Sequence, residues 1–479
     1  MQRKERETLP FEGGGHADSV TGSVARRNRE LRFTQIIVAA REAFQEDGYA
    51  GFTTRGVAGR VGITLGNLQY YFRTKEELLR AALETYVREI LDDYAAIATR
   101  PGAVAARRCA ALVERFLRDI NETDLPRFLF EIWAFAQHEP FAADLIDEWY
   151  ARYRSMFAGL LSEIHPSLTS EQCLTRAAVL VAQTNGMAIF ANRGAARDKD
   201  SAEFARMTKR AVKMIVGLSG QALESRPAAG RARNRRPAHE GSAYANATDP
   251  KGQIEEAQFQ LTVRQDGQER LYYRPTVRGR RREVKINEIV STAANLLATE
   301  GYANFTQARV ARELGMLPSA LQNYFPMHED LLRSTIDALI QVFLDRYAEM
   351  AKPSGKPALE RLREIVSDVF EEALDPQVCR FSFEFLALAG HSETTRELVA
   401  HSYFTYRSIY VNLVREIDAS ATARECIVRA TLIAAQMEGA ATLMFGAKSQ
   451  PPNVDRVFEL MIEMAARIAQ GAVDAKTAL

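Results

Sequence analysis

The chain has little cysteine: Cys109, Cys173, Cys379 and Cys426 are far apart and show no CxxC spacing. This argues against a disulfide framework and a cysteine-built zinc site, and predicts reduced, mostly buried thiols. Excess charge of either sign is also missing. Lys and Arg number 62 against 61 Asp and Glu, a formal net charge of +1, so contact with a polyanion must come from a local patch. No apolar run reads as long enough to span a bilayer. The opening MQRKERETLPFEGGGHADS has no apolar core like a signal peptide's, so a cytoplasmic protein without membrane contact is expected. There is no Ser-His-Asp arrangement, HExxH, glycine-rich phosphate loop or clustered carboxylate pair. No enzyme, metal site or cofactor is therefore expected.

With 47% hydrophobic and 26% charged residues over 479 positions, the chain can build two or three domains with real cores. Its most informative stretch is TTRGVAGRVGITLGNLQYYFRTKEELL, from Thr53 to Leu79. Thr53 or Thr54 can cap a short helix in which Val57, Ala58 and Val61 recur at helical spacing. Gly62 suits the turn that ends it. Thr64 can cap a second helix, with Leu68 and Phe72 facing inward, and Thr74 with Glu77 forms a capping box ahead of a longer helix. Helix, glycine turn, short helix is the layout of a helix-turn-helix, whose second helix enters the DNA major groove. The residues left outward are Leu65, Gly66, Asn67, Gln69, Tyr70 and Tyr71, none of them acidic.

The segment AAREAFQEDGYAGFTTRGVAGRVGITLGNLQYYFRTKEELLRAAL resembles the tetracycline-repressor (TetR) family of bacterial transcriptional regulators. The resemblance is carried by Phe44, Gly48-Tyr49, Thr53-Thr54-Arg55, Ala58, Gly62, Leu68, Tyr71-Phe72 and Lys75-Glu76. It implies a three-helix DNA-binding head, a long fourth helix, and a helical body that binds a ligand and dimerises. It also implies a base contact from Arg55 and a phosphate grip from Lys75. One departure is Gln69, where the family usually has Tyr. The expected DNA-binding set is Thr54, Arg55, Thr64, Leu65, Gly66, Asn67, Gln69, Tyr70, Tyr71 and Lys75. Thr54, Tyr71 and Lys75 would hold phosphate, while Arg55, Leu65, Gly66, Asn67 and Tyr70 would read base edges.

Around this head, residues 1–28 read as a disordered tail ending in the basic cluster Arg26, Arg27 and Arg29, either an arm for DNA or a solvated charge run. A first helix is expected over Phe33–Glu46. Beyond Lys75 the periodicity stays helical to Leu218, with breaks near 124–126, 139–140, 165–166 and 192–194. Ala177–Phe190 and Phe204–Leu218 are apolar helices that form either the family's partner interface or internal core. The aromatic residues from Phe128 to Phe157 read as packing, and the ligand pocket cannot be assigned. Residues 221–281 read as a linker rich in Pro, Gly, Ala and Arg. It holds a candidate β-hairpin over 258–274, and a second basic arm follows at Arg278, Arg280, Arg281 and Arg282.

The second half repeats the first at a constant offset, the separation of Gly48 from Gly301. Tyr71-Phe72 aligns with Tyr324-Phe325, Tyr153-Arg154-Ser155 with Tyr406-Arg407-Ser408, Cys173 with Cys426 and Gly186 with Gly439. The expected fold is all-α with two whole units: head 29–80 and body 81–220, then head 282–333 and body 334–475. The heads differ at DNA-facing positions. Arg55 becomes Ala308, Thr64 Leu317, Leu65 Pro318, Asn67 Ala320, Tyr70 Asn323 and Lys75 His328. Gln322, Asn323 and Tyr324 remain as second-head candidates. His138 and its counterpart His391 are expected to cap helix ends.

The expected protein is a ligand-responsive regulator, in the family's usual mode a repressor, with double-stranded operator DNA and an unidentified small-molecule effector as partners. It would be either an intramolecular pseudo-dimer or a homodimer through the first copies. The alternative is a ligand-binding or adaptor protein whose heads no longer bind DNA.

Overall fold

The computed structural model describes residues 17–190, 199–217 and 277–472. The candidate hairpin, residues 221–276 of the linker and the break at 192–194 lie outside the described residues. Among the described residues the chain is all-α, as expected. The first copy runs α1 (Ala17–Gly51), α2 (Thr54–Val61), α3 (Leu65–Tyr71), α4 (Lys75–Ala98), α5 (Ala105–Glu122), α6 (Leu125–Phe135), α7 (Pro140–Ile164), α8 (Ser170–Phe190) and α9 (Lys199–Val216). The second runs α10 (Val277–Glu300), α11 (Gln307–Glu313), α12 (Pro318–Gln322), α13 (His328–Ala351), α14 (Ala358–Ala373), α15 (Pro376–Leu388), α16 (Glu393–Ile417), α17 (Ala423–Ala440) and α18 (Val454–Ala469). Short 3-10 turns lie at Tyr302–Asn304 and Ala441–Met444. The repeat seen in the sequence is therefore a repeat of elements.

The first helix begins well before the expected boundary. Arg26, Arg27 and Arg29 ride on α1 and do not form a free arm, and Arg278, Arg280, Arg281 and Arg282 likewise belong to α10. Neither Gly nor Pro interrupts the chain between Val24 and Glu46. Arg26 pairs with Glu30 one turn on at 3.1 Å, which supports the helix modestly. α1 kinks at Gly48, whose φ of 64° and ψ of 177° only glycine adopts readily. Gly301 repeats this with φ 74° and ψ 171°.

The two copies pack directly on each other. α8 lies against α17, and α9 and α18 flank them in a four-helix arrangement. The crossing is backbone on backbone. A Cβ on Gly186 would sit 1.6 Å from the Ala435 carbonyl oxygen, and one on Gly439 1.8 Å from that of Ala182. Ala182 and Ala435 are themselves counterparts, so the contact is reciprocal. Polar groups bridge the same surface. The Gln183 amide donates to the Leu432 carbonyl at 3.1 Å, and Asn185 donates to Thr442 Oγ1 at 3.1 Å. α8 is long and apolar enough to cross a bilayer by length and composition, contrary to the expectation from the sequence. However, 78% of its apolar window is buried inside the protein, under α7, α17 and α18. An all-round apolar helix of this kind serves as the centre of a large core.

A second seam joins α6 to α15. Trp133 meets Phe383 of the other copy with ring centroids 5.5 Å apart, and its indole N–H donates to Tyr150 Oη at 2.8 Å. The other aromatic residues of this stretch, including Phe128, Trp149, Tyr153 and Phe157, are buried packing as expected.

Gly186→Ala forces two helix backbones apart. It should cost about 2–3 kcal/mol or more in chemical denaturation. Gly59→Ala, which meets nothing within 4 Å on α2, should be neutral or stabilising by about 0.5–1 kcal/mol. Equal effects of the two would contradict the crossing.

Candidate nucleic-acid interface

Side-chain oxygens start α2, α3 and α4. The Gly56 amide donates to Thr53 Oγ1 at 3.0 Å, so Thr53 is the cap and Thr54 is the first residue of α2. Gly62 ends α2 with φ 72°. The Asn67 amide donates to Thr64 Oγ1 at 3.2 Å and opens α3. The Glu77 amide donates to Thr74 Oγ1 at 3.0 Å. The Glu77 carboxylate accepts from the Arg73 amide at 2.8 Å, one residue before the position a capping box uses. Leu68 and Phe72 fill the interior with Phe44, Phe52, Val57 and Ala58, all buried.

This core leaves one face of α3 outward. Gly66, Asn67, Gln69 and Tyr70 are exposed, with Tyr70 at 69%, while Leu65 and Tyr71 are half-buried. On the neighbouring helix Arg55 is exposed and Thr54 half-buried. Most of the expected set is thus exposed or half-buried on two adjacent helices. The structure adds Arg29, whose guanidinium lies 5.5 Å from the Tyr70 ring centroid. The helical α1 brings it there, which a free arm would not require. Lys75 differs from expectation. Its ammonium donates to the Tyr49 carbonyl at 3.1 Å and lies 4.1 Å from the Tyr49 ring centroid, and burial lowers its pKa. Within the head it ties α4 to the end of α1.

The second head keeps the frame and loses the polar fittings. Thr306 still caps α11, accepting from the Arg309 amide at 3.1 Å. The caps at Thr64 and Thr74 are replaced by Leu317 and Met327, which make no capping hydrogen bond and are 72% and 62% exposed. Pro318 opens α12, where its missing N–H costs nothing. Gln322 and Asn323 are exposed and Tyr324 half-buried. Arg282, the counterpart of Arg29, lies 5.1 Å from the Tyr324 ring and donates to the Asn323 carbonyl at 2.9 Å. Burial holds the His328 imidazole below its usual pKa, which favours the neutral form.

The paired histidines do not cap helix ends. His138 Nε2 lies 2.5 Å from Glu384 Oε1, and His391 Nε2 lies 2.6 Å from Glu131 Oε1. Both bonds cross between copies and are counterparts of each other. Each packs on the kink glycine of a head. A Cβ on Gly48 would lie 2.9 Å from His391 Nε2 and from Glu131 Oε2, and one on Gly301 2.7 Å from His138 Nε2. No local spacing signals this, because the partners lie hundreds of residues apart.

The second body holds one further group the sequence did not single out. Glu438 accepts from Tyr403 Oη at 2.9 Å. It sits among Tyr347, Tyr406 and Tyr410, and burial pushes its carboxyl up to about 7. The folded state therefore binds this proton more tightly than the unfolded state. Its contribution makes stability fall as pH rises from about 4.5 to about 7, then level off. Glu438→Gln should flatten that part of the melting-temperature profile. An unchanged profile would contradict the assignment. Leu317→Thr, restoring a cap, should stabilise the protein by about 0.5–1 kcal/mol in denaturant titration.

Comparison with known proteins agrees with this geometry. The family model "Bacterial regulatory proteins, tetR family" matches twice, at residues 36–82 and 289–335. "BetI-type transcriptional repressor, C-terminal" matches 358–470. The chain is 27% identical over 152 residues to an uncharacterized HTH-type transcriptional regulator in the dhlA 5' region of Xanthobacter autotrophicus, covering 31% of this chain and 72% of that one. It is 27% identical over 167 residues to the HTH-type transcriptional regulator BetI of Escherichia coli, covering 33% and 81%. A solved putative transcriptional regulator from Pseudomonas aeruginosa PAO1 aligns at 19% identity and a TM-score of 0.35, covering 39% of this chain and 89% of that one. With two helix-turn-helix heads that both match the family's DNA-binding domain, the chain belongs to the tetR family of bacterial regulatory proteins and is a DNA-binding transcription regulator built from a duplicated unit.

Proposed function

We propose that this protein is a ligand-responsive repressor that works as a pseudo-dimer within one chain and acts on operator DNA in the cytoplasm. The observation that carries the reading is the reciprocal packing of α8 on α17 at Gly186 and Gly439. The apolar surface that a second chain would need in a homodimer through the first copies is already occupied by the second copy. Helix-turn-helix proteins gain affinity by presenting two heads to two half-sites, and duplication supplies both.

The heads are unequal. The first carries exposed Arg55, Asn67, Gln69 and Tyr70, with Arg29 beside them. The second offers exposed Leu317 and Met327 where the first has threonines. The operator is therefore asymmetric, with base readout dominated by the first head. Thr54, Thr64, Leu65, Gly66 and Tyr71 frame its contact surface, and Lys75 acts partly through the α1–α4 junction. Gln322, Asn323 and Tyr324 make the weaker second contact. Control comes from a small effector in the body, which shifts the head arrangement by its differential affinity for two states. The match of residues 358–470 to a BetI-type transcriptional repressor C-terminal domain supports repression as the mode.

Light scattering should give the mass of one chain free and one chain per operator, and a mass of two chains would favour the homodimer. In binding-site selection, Arg55→Ala should relax discrimination at one or two base pairs at a cost of about 1–3 kcal/mol. Lys75→Ala should weaken binding to all sequences. If neither substitution changes DNA binding, the first head is not the reader.

A further inference from the structure

We propose that a one-sided cleft at the seam between the copies binds a small organic monocarboxylate, whose carboxylate meets Arg127 of the first copy and Arg396 of the second. The cleft measures about 340 Å³ and is lined by both arginines, with Asn121 at its polar side and Phe130 and Leu386 among its apolar walls. That volume is at the small end of ligand sites, about 300–1,000 Å³. It suits a compact apolar body carrying one charged group.

Arg127 is the strongest argument. Its Nη2 donates to the Glu46 carbonyl at 3.2 Å and to the Gly390 carbonyl of the other copy at 3.1 Å. Its Nε is enclosed and has no hydrogen-bond partner. Carbonyl oxygens accept hydrogen bonds without neutralising the charge. The nearby carboxylate of Glu131 is held by His391 at 2.6 Å. A half-buried guanidinium that shares the cleft wall with Glu131 and otherwise meets only carbonyl oxygens can take a ligand carboxylate in parallel hydrogen bonds. Arg396 lies on the cleft wall with its Nη1 on exposed Glu393 at 2.5 Å, a pairing that water screens and a ligand can displace. Asp124 is also on the wall and exposed, and it disfavours a second negative charge on the ligand.

The other half of the molecule repeats the arginine but not its surroundings. Arg380 is the counterpart of Arg127, likewise donates to a head carbonyl, that of Thr299, at 2.9 Å, and likewise has an enclosed Nε without a partner. Arg396, however, corresponds to Ala143, Asn121 to Leu374, and Gly390 to Gln137. One site per chain follows. It also has a direct line to one head. A carboxylate that takes up Arg127 competes with the Glu46 carbonyl, two residues before the Gly48 kink. It should therefore loosen the first head from its body and weaken DNA binding. This last consequence rests on the first head being the DNA reader, whereas the binding itself does not.

Isothermal calorimetry on the full chain without DNA would use benzoate, phenylacetate and hexanoate, with inorganic phosphate and benzylamine as comparators. At least one monocarboxylate should bind once per chain with a Kd of about 1 mM or tighter. Arg396→Ala and Asn121→Leu import residues that the other copy already carries. Each should weaken binding about tenfold or more while leaving the melting temperature unchanged. No heat from any of the three acids up to about 10 mM would overturn the site. So would two molecules per chain, full affinity in Arg396→Ala, or a preference for phosphate or benzylamine. A gel shift with the best acid then tests the link to the head. Binding without a change in DNA affinity would overturn the regulatory consequence and leave the site standing. Loss of DNA binding in the unliganded protein would instead count against the regulator reading.

Discussion

The architecture depends on two helix backbones touching where side chains are absent. Gly186 and Gly439 let α8 and α17 approach until each would drive a Cβ into the other's carbonyl. Glycine in a helix interior costs about 0.5–1 kcal/mol relative to alanine, and the close approach offsets that cost through the apolar area brought together around it. Because the two glycines are counterparts in the repeat, one contact settles the relation of the two bodies. α9 and α18 then close the arrangement from either side.

The heads are tied to this frame through a second, polar seam. Each His–Glu pair joins one copy's α6 end to the other copy's and lies against the kink glycine of a head. Burial pushes the Glu131 carboxyl up even though the His391 hydrogen bond opposes it, so the pair resides in a poorly solvated place where its geometry is constrained. Arg127 and Arg380 add matching bonds from the seam to head carbonyls. A shift of the bodies by a fraction of a helix turn would therefore reach the heads through short, stiff connections. This is the kind of two-state linkage a regulator requires.

Duplication leaves the copies free to diverge, and the pattern of divergence follows burial. Phe52 and Phe305, Leu68 and Leu321, and Phe72 and Phe325 are all buried counterparts that keep their identity. The surface positions changed: two capping threonines became Leu317 and Met327, and Arg55 became Ala308. Losing a cap costs about 1 kcal/mol, which a packed head tolerates, whereas losing a core aromatic costs about 3–5 kcal/mol. The second head thus keeps its shape while its outer surface differs.

The helix-turn-helix was legible in the chain because its signals are local. Thr53, Thr64, Thr74 and Gly62 act within a few residues of themselves, and Leu68 and Phe72 declare their face by spacing alone. The repeat was legible because one register aligns both copies, and the aromatic residues of the first body read correctly as packing. The start of α1 was misplaced because charge and composition suggested a tail where ion pairing and uninterrupted helix formers extend a helix. The contacts of Lys75, His138, His391, Arg127 and Glu438, and the existence of the one-sided cleft, were decided only by tertiary structure. Each depends on groups far away in the chain: the Tyr49 carbonyl, a carboxylate of the other copy, or a ring of tyrosines. Sequence by itself determined the units and their local turns, since caps, periodicity and glycine turns act over a few residues. Which surfaces the units spend on each other was left to packing, where the distance that matters runs through space.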